Sequence, residues 1–199
     1  MTSEMRLLVA RDARLPPLAW CVRLRHGSHV ELLCGRSVEV RRDSFFEGAW
    51  PGCFESFDFA RSADVFGSGG QIVGDDLIIV TPSHTLERVQ VIQFHEETLI
   101  SNSLAFLLTA AGVELDPHHA GYASDFTKII HHGIDAFDTA IPLRTAAGRR
   151  IGGKGPLHAR LVYVENIVID RSGRLSFVEK PPAPHFELLS STPSCSLML

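Results

Sequence analysis

The sequence predicts an α+β fold built on antiparallel pairing, and three observations carry that prediction. Most apolar segments are of strand length, four to eight residues, and either alternate or run continuously apolar. Short polar or glycine-containing turns separate several of them, as hairpins require. The helical patterns are grouped late, between residues 102 and 131, so few strand pairs are divided by a crossover helix.

In chain order, "RLLVA", "LAWCVRLR", "HVELLC" and "SVEVRR" read as strands, with "HGS" at 26–28 as a hairpin turn. "FFEGAWPGCFESFDF" (45–59) is rich in aromatic residues and glycine. Phe54, Ser56 and Asp58 alternate there with Glu55, Phe57 and Phe59, so a strand would have one aromatic face. "GSGGQIVGDD" reads as a loop by composition, and "FGSGG" (66–70) as a tight turn. "LIIVTP" reads as a buried strand and "RVQVIQFHEETLIS" as an antiparallel hairpin. Consecutive antiparallel strands are therefore expected over 76–101.

"ISNSLAFLLTAAG" is a strand entering a helix over 102–111. Ser101 or Asn102 caps it, Leu104, Leu107 and Leu108 share a face, and Gly112 closes it. A second helix is expected over 117–131, opened by Asp116-Pro117 and followed by Gly133. "ARLVYVENIVID" and "RLSFVEK" form a hairpin through Arg171-Ser172-Gly173. Residues 1–180 read as one domain. Residues 181–199, rich in proline and serine, read as a linker or disordered tail.

Composition excludes several functions. Hydrophobic residues make up 45% and charged residues 21%, as in soluble globular domains. No apolar run approaches the ~18 residues of a membrane span, and the N-terminus lacks the apolar region of a secretory signal. A cytoplasmic protein with no membrane partner is expected. Residues 43–140 hold 15 acidic and 3 basic side chains, which argues against a nucleic-acid partner. Cys21, Cys34, Cys53 and Cys195 show no C-x-x-C spacing and read as reduced thiols.

Several motifs fail on chemistry. "GRRIGGKG" matches a phosphate-binding loop at Gly148, Gly153 and Lys154. Gly155 replaces the hydroxyl residue, however, and Pro156 leads into a strand instead of a helix. His95-Glu96-Glu97 lacks the second histidine of a zinc helix. His118-His119 and His131-His132 are adjacent pairs that point apart on a helix. Ser68 in "GSG" is not a G-x-S-x-G elbow. No catalytic, cofactor or metal residue is assigned.

The order of segments from residue 45 to 180 resembles the glutaminase domain of the asparagine synthetase family. "EGAWPGCFESFDFA" is similar to its G-x-F-A-F-A-x-W-D strand, and "DDLIIVTPSHTLERVQVIQF" to the strand, D-R-x-G-x-x-P-L turn and strand that follow. "ETLISNSLAFLL" is similar to the F-A-S-E-L-K-A-L-L joint, "ELDPHHAGYASDFTKIIHHGID" to the next helix, and "IPLRTAAGRRI" occupies the place of L-P-P-G. The resemblance implies an N-terminal-nucleophile-hydrolase-like sandwich of two antiparallel sheets between helical layers, with the N-terminal half shortened. It also implies an ATP-pyrophosphatase synthetase domain as partner, in the same chain or another.

That family needs a cysteine at the mature N-terminus, whose α-amine, of pKa about 8, is the base. Here Thr2 stands second, and the R-G-P-D and N-G-E-I-Y-N segments that grip glutamine are missing from the sequence. The expectation is a catalytically silent, structural or regulatory glutaminase-like domain without a cofactor. The alternatives are an amidohydrolase using Thr2 and a metal-dependent enzyme using scattered histidines.

Overall fold

The computed structural model describes residues 5–25, 29–84, 87–94, 96–118 and 165–182. Between these it describes 120, 121, 123, 124, 127, 131, 139–141, 143–145 and 157–159. Thr2, the 26–28 turn, His95, the 148–155 glycine segment and residues 183–199 lie outside them.

The short apolar runs form two large sheets. The first contains β1 (Leu7–Arg11), β2 (Trp20–Arg25), β3 (Val30–Cys34), β8 (Gln90–Gln93), β9 (Glu97–Ser101), β11 (Thr139–Ile141) and β13 (Leu157–Ala159), in the order β1-β3-β2-β9-β8-β13-β11. The second contains β4 (Glu39–Val40), β5 (Ser44–Ala49), β6 (Phe66–Val73), β7 (Asp76–Val80), β14 (Glu165–Ile169) and β15 (Leu175–Glu179), in the order β15-β14-β7-β6-β5-β4. β10 (Val113–Leu115) and β12 (Leu143–Thr145) form a separate antiparallel ribbon. Helix α1 spans Leu104–Ala111. No helix among the described residues is long and apolar enough to cross a membrane.

The main core lies between the sheets. Trp20, Val22, Leu24, Val30 and Leu32 from one sheet meet Phe45, Leu77, Ile79, Ile167 and Ile169 from the other. Trp20 and Phe45 pack edge to face with centroids 5.0 Å apart, the geometry the ring quadrupoles favour. The alternate residues of β2, β8 and β9 face outward, where Cys21, Ile92 and Leu99 receive Leu107 of α1. On the outer face of the second sheet, Phe46 and Val80 receive Phe57, Phe59 and Val65 from the segment after β5.

Four expectations are corrected. The "FGSGG" loop is part of β6, an interior strand paired with β5 and β7. Its glycines make room for aromatic rings, since a Cβ on Gly70 would lie within 3.0 Å of the Phe45 ring. Composition favoured a turn because it does not register an opposing side chain. Secondly, 54–59 is no strand. It is turns followed by a 3-10 turn at Phe59–Arg61, with Phe57 at φ 54. Its rings gather around Trp50, with Phe57 at 5.7 Å and Phe59 at 5.9 Å. Arg41 clamps the segment by donating to the carbonyls of Phe54 and Glu55 and stacking on Phe57.

Thirdly, β1 pairs with β3 in parallel, whereas the other strand pairs of the described residues are antiparallel. The chain leaves β1 through Pro16-Pro17, crosses the sheet end and enters β2, so β1 is placed beyond β3. Finally, the strands within 76–101 do form antiparallel pairs, but β7 belongs to the second sheet and β8–β9 to the first. The second helix lies largely outside the described residues. Ala123, Ser124, Thr127 and His131 are helical, whereas Pro117 and His118 are in a turn. Asp116 accepts from the His118 N–H at 3.0 Å, closing that turn.

Candidate functional site

The joint between β9 and α1 carries three polar side chains with three different tasks. Ser103 is the helix cap, in extended conformation (φ −130), with its hydroxyl accepting from the Phe106 N–H at 3.4 Å. Gly112 closes the helix at φ 65. The expected cap residues, Ser101 and Asn102, are turned toward the sandwich instead. The buried Ser101 hydroxyl donates to the Trp20 carbonyl and accepts from the Ser103 N–H. Asn102 accepts from the Trp20 N–H at 2.9 Å and donates to the Leu18 carbonyl at 3.0 Å. Its amide also donates to Glu47 Oε1 at 3.3 Å, reaching across to the second sheet.

Glu47 and Ser68 face each other across β5 and β6. Glu47 Oε1 accepts from the Ser68 N–H at 2.9 Å and from the Ser68 hydroxyl at 2.8 Å. The Trp20 indole N–H donates to the same hydroxyl at 3.2 Å. Glu47, Ser68, Asn102 and Trp20 thus form one polar bridge between the sheets, beside the Trp20–Phe45 contact. The next pair along the hairpin is Gly48 opposite Gly67, at φ 130 and 103. A Cβ on either would lie under 3.0 Å from the carbonyl oxygen of the other strand. Only glycine allows the strands this approach beside the carboxylate.

Glu47 is 6% exposed. Burial raises its pKa, against the lowering effect of the Ser68 and Asn102 hydrogen bonds, and the charge of Glu87 raises it further. All three hydrogen bonds fall on Oε1. Oε2 has no donor among the described residues, yet it is not sealed from solvent. A carboxyl with a raised folded pKa binds its proton more tightly when folded. Its contribution to stability is complete at low pH and is lost as pH rises through the raised value. Glu47→Gln keeps an acceptor for Ser68 and Asn102 and places the amide nitrogen toward solvent. Urea titrations at pH 7 should therefore show a gain of about 1 kcal/mol, the usual scale of one stabilising change. The gain should shrink toward pH 4. A loss at pH 7 would contradict this account.

A second buried charge lies at the end of β15. Lys180 is 9% exposed. It donates to the Thr81 carbonyl and, at 2.9 Å, to the Ser83 hydroxyl. Ser83 in turn donates to the Ala63 carbonyl and accepts from the Val65 N–H. The hydroxyl proton is thus held by a carbonyl and not by the amine, so this is a clip joining β15 to the turn after β7. Burial lowers the Lys180 pKa to about 8 from 10.5. A depressed ammonium binds fewer protons folded than unfolded between those values, so its linkage makes stability rise with pH across that window. Lys180→Met should remove this pH-dependent component, read from thermal midpoints between pH 8 and 10. An unchanged slope would refute the assignment.

Both charges were missed by motif searching. The available signal was an acid inside the apolar run "SFFEGAW" and a lysine ending a strand. Of the residues singled out in the sequence, Ser68 belongs to the bridge, but it is 1% exposed and no G-x-S-x-G elbow presents it. His118 and His131 are described while His119 and His132 are not, and the described His, Cys, Asp and Glu residues form no group able to hold a metal ion. Cys21 and Cys34 are buried free thiols, Cys21 pushed up to about 12 by burial, and Cys53 is an exposed one. Cys195 is outside the described residues. The chain matches no protein-family profile, no curated protein and no solved structure.

Proposed function

We propose that this chain is a catalytically silent glutaminase-like domain related to asparagine synthetases, serving as a structural or regulatory partner of an ATP-dependent amide-forming domain. One observation supports the silent half of this reading. The hydroxyls of Ser68, in the polar bridge, and of Ser101, beside it, are buried and committed to Glu47, Trp20 and the Trp20 carbonyl. A nucleophile must be reached by its substrate, and neither hydroxyl is reachable, Ser68 being 1% and Ser101 0% exposed. Ser68 ties the two sheets together through Trp20, and Ser101 ties β2 to the start of α1. Two facing, mostly antiparallel sheets with a helix on one outer surface support the coarser part of this reading, a strand-rich sandwich. Leu8 and Val9 on edge strand β1 and Val178 on edge strand β15 are exposed, and exposed apolar edges suit docking.

Ammonia release from glutamine tests the silent half of this proposal. The purified chain and its Thr2→Ala variant should both stay at the background rate. Release that disappears in Thr2→Ala would establish an N-terminal threonine hydrolase instead. The partner half predicts binding to a synthetase domain carrying Ser-Gly-Gly-x-Asp-Ser, encoded in the same or a neighbouring reading frame. Absence of binding by calorimetry would end that half.

A further inference from the structure

We infer that the outer edge of the inter-sheet bridge is a binding site for an alkylammonium group, seated on Glu47 Oε2. Glu47 is 94% removed from solvent by its 6% exposure, and its two oxygens are treated unequally. Oε1 takes the three donors from Ser68 and Asn102, whereas Oε2 takes none among the described residues and keeps some contact with solvent. A buried carboxylate without a cation is costly, and among the described residues no cation pairs with Glu47.

The surroundings select the ligand's charge and shape. Glu87 acts on Glu47 through space with a second negative charge and itself lies 3.8 Å from His84 Nε2; two carboxylates against one imidazole repel an anion and favour a cation. Phe66, two residues before Ser68, is 66% exposed, and its ring stands 5.2 Å from that of His84. Leu18, whose carbonyl shares the Asn102 amide with Glu47, is also exposed. Exposed Phe66 and Leu18 provide apolar contact for a short alkyl stem, and the Phe66 face turned away from His84 attracts a cation. With Oε1 already taken by Ser68 and Asn102, one oxygen is left to a donor, which suits an ammonium better than a planar guanidinium, matched to two carboxylate oxygens at once. The ammonium can come from a free small amine or from a lysine side chain.

The two tryptophans provide the readout. Trp20 donates to Ser68 inside the bridge, whereas Trp50 donates to Asp58 on the far side of the second sheet. In amide and indole NMR spectra, n-butylammonium chloride should shift the Trp20 indole resonance saturably and leave Trp50 in place. Glu47→Gln should weaken the affinity about tenfold or more, the scale of one charge-assisted hydrogen bond. Glu87→Gln and Phe66→Ala, both at exposed positions, should weaken it less and leave the fold intact. Stronger binding of Nα-acetyl-lysine methylamide would identify a protein side chain as the source, and stronger binding of n-butylammonium a free amine. A Trp20 resonance that does not move would overturn the inference. So would one that moves equally with n-butanol, with sodium chloride at matched ionic strength, or in Glu47→Gln. None of these outcomes depends on glutamine hydrolysis or synthetase binding, so the proposed function stands or falls separately.

Discussion

Gly67→Ala should lower the stability of the domain by about 4 kcal/mol, read from urea midpoints. Two contributions add: about 1–3 kcal/mol for a side chain at a glycine-only backbone conformation, and about 1–3 kcal/mol for overpacking. The atoms in the way are the carbonyl oxygen of Glu47 and the Cα of Gly48, and backbone on a paired strand cannot swing aside as a flexible side chain can. Gly74→Ala is the internal comparison. Gly74 has φ 64, but nothing lies within 4 Å of the position its Cβ would take. That substitution carries the conformational cost alone, about 1–2 kcal/mol. Equal losses at the two positions would mean that strand approach at Gly67 is not what demands glycine. Gly67→Ala should also displace Glu47 from Ser68, because the clash lies at the Glu47 carbonyl. The Trp20 indole resonance should move in that variant and stay in Gly74→Ala.

Asn102→Ala is expected to cost about 3 kcal/mol, against about 1 kcal/mol for its neighbour Ser103→Ala. Ser103 contributes a helix cap, and caps are worth about that much. Asn102 satisfies the Trp20 N–H, the Leu18 carbonyl and Glu47 Oε1 together. Removing it strands a buried donor and takes one of three donors from a buried carboxylate, and each unsatisfied buried group costs about 1–3 kcal/mol. Combining Asn102→Ala with Glu47→Gln should recover part of the loss, since the neutral amide tolerates the missing donor better. Strict additivity in that double variant would show that the two side chains are not coupled.

Much of the fold was legible in the sequence. The runs "WCVRLR", "VELLC" and "DLIIV" became strands because alternation or continuous apolarity leaves few other ways to bury them. Gly112 ended α1 where a left-handed residue was needed. The Arg171-Ser172-Gly173 turn joined β14 to β15, with Asp170 accepting from the Ser172 and Arg174 N–H groups. Each of these depends on interactions within a few residues, which is the range over which sequence pattern reports physical cause.

The remainder depended on partners far along the chain. "FGSGG" is a strand because the rings of Phe45 and Phe46 need glycines opposite them, and nothing within the five residues states that need. "CFESFDF" is a knot of rings because Gly52 packs beneath Trp50 and Arg41 holds the loop carbonyls. Locally, "SNS" was a sufficient helix cap. Only the meeting of two sheets gave Asn102 its place between Trp20 and Glu47, left one oxygen of Glu47 without a donor among the described residues, and raised that carboxyl's pKa by burial. Sequence alone determined which segments are strands or helix wherever the cause is local. Tertiary structure decided which polar groups are buried together, because burial and desolvation belong to a position in space and are shared by residues 20, 47, 68 and 102.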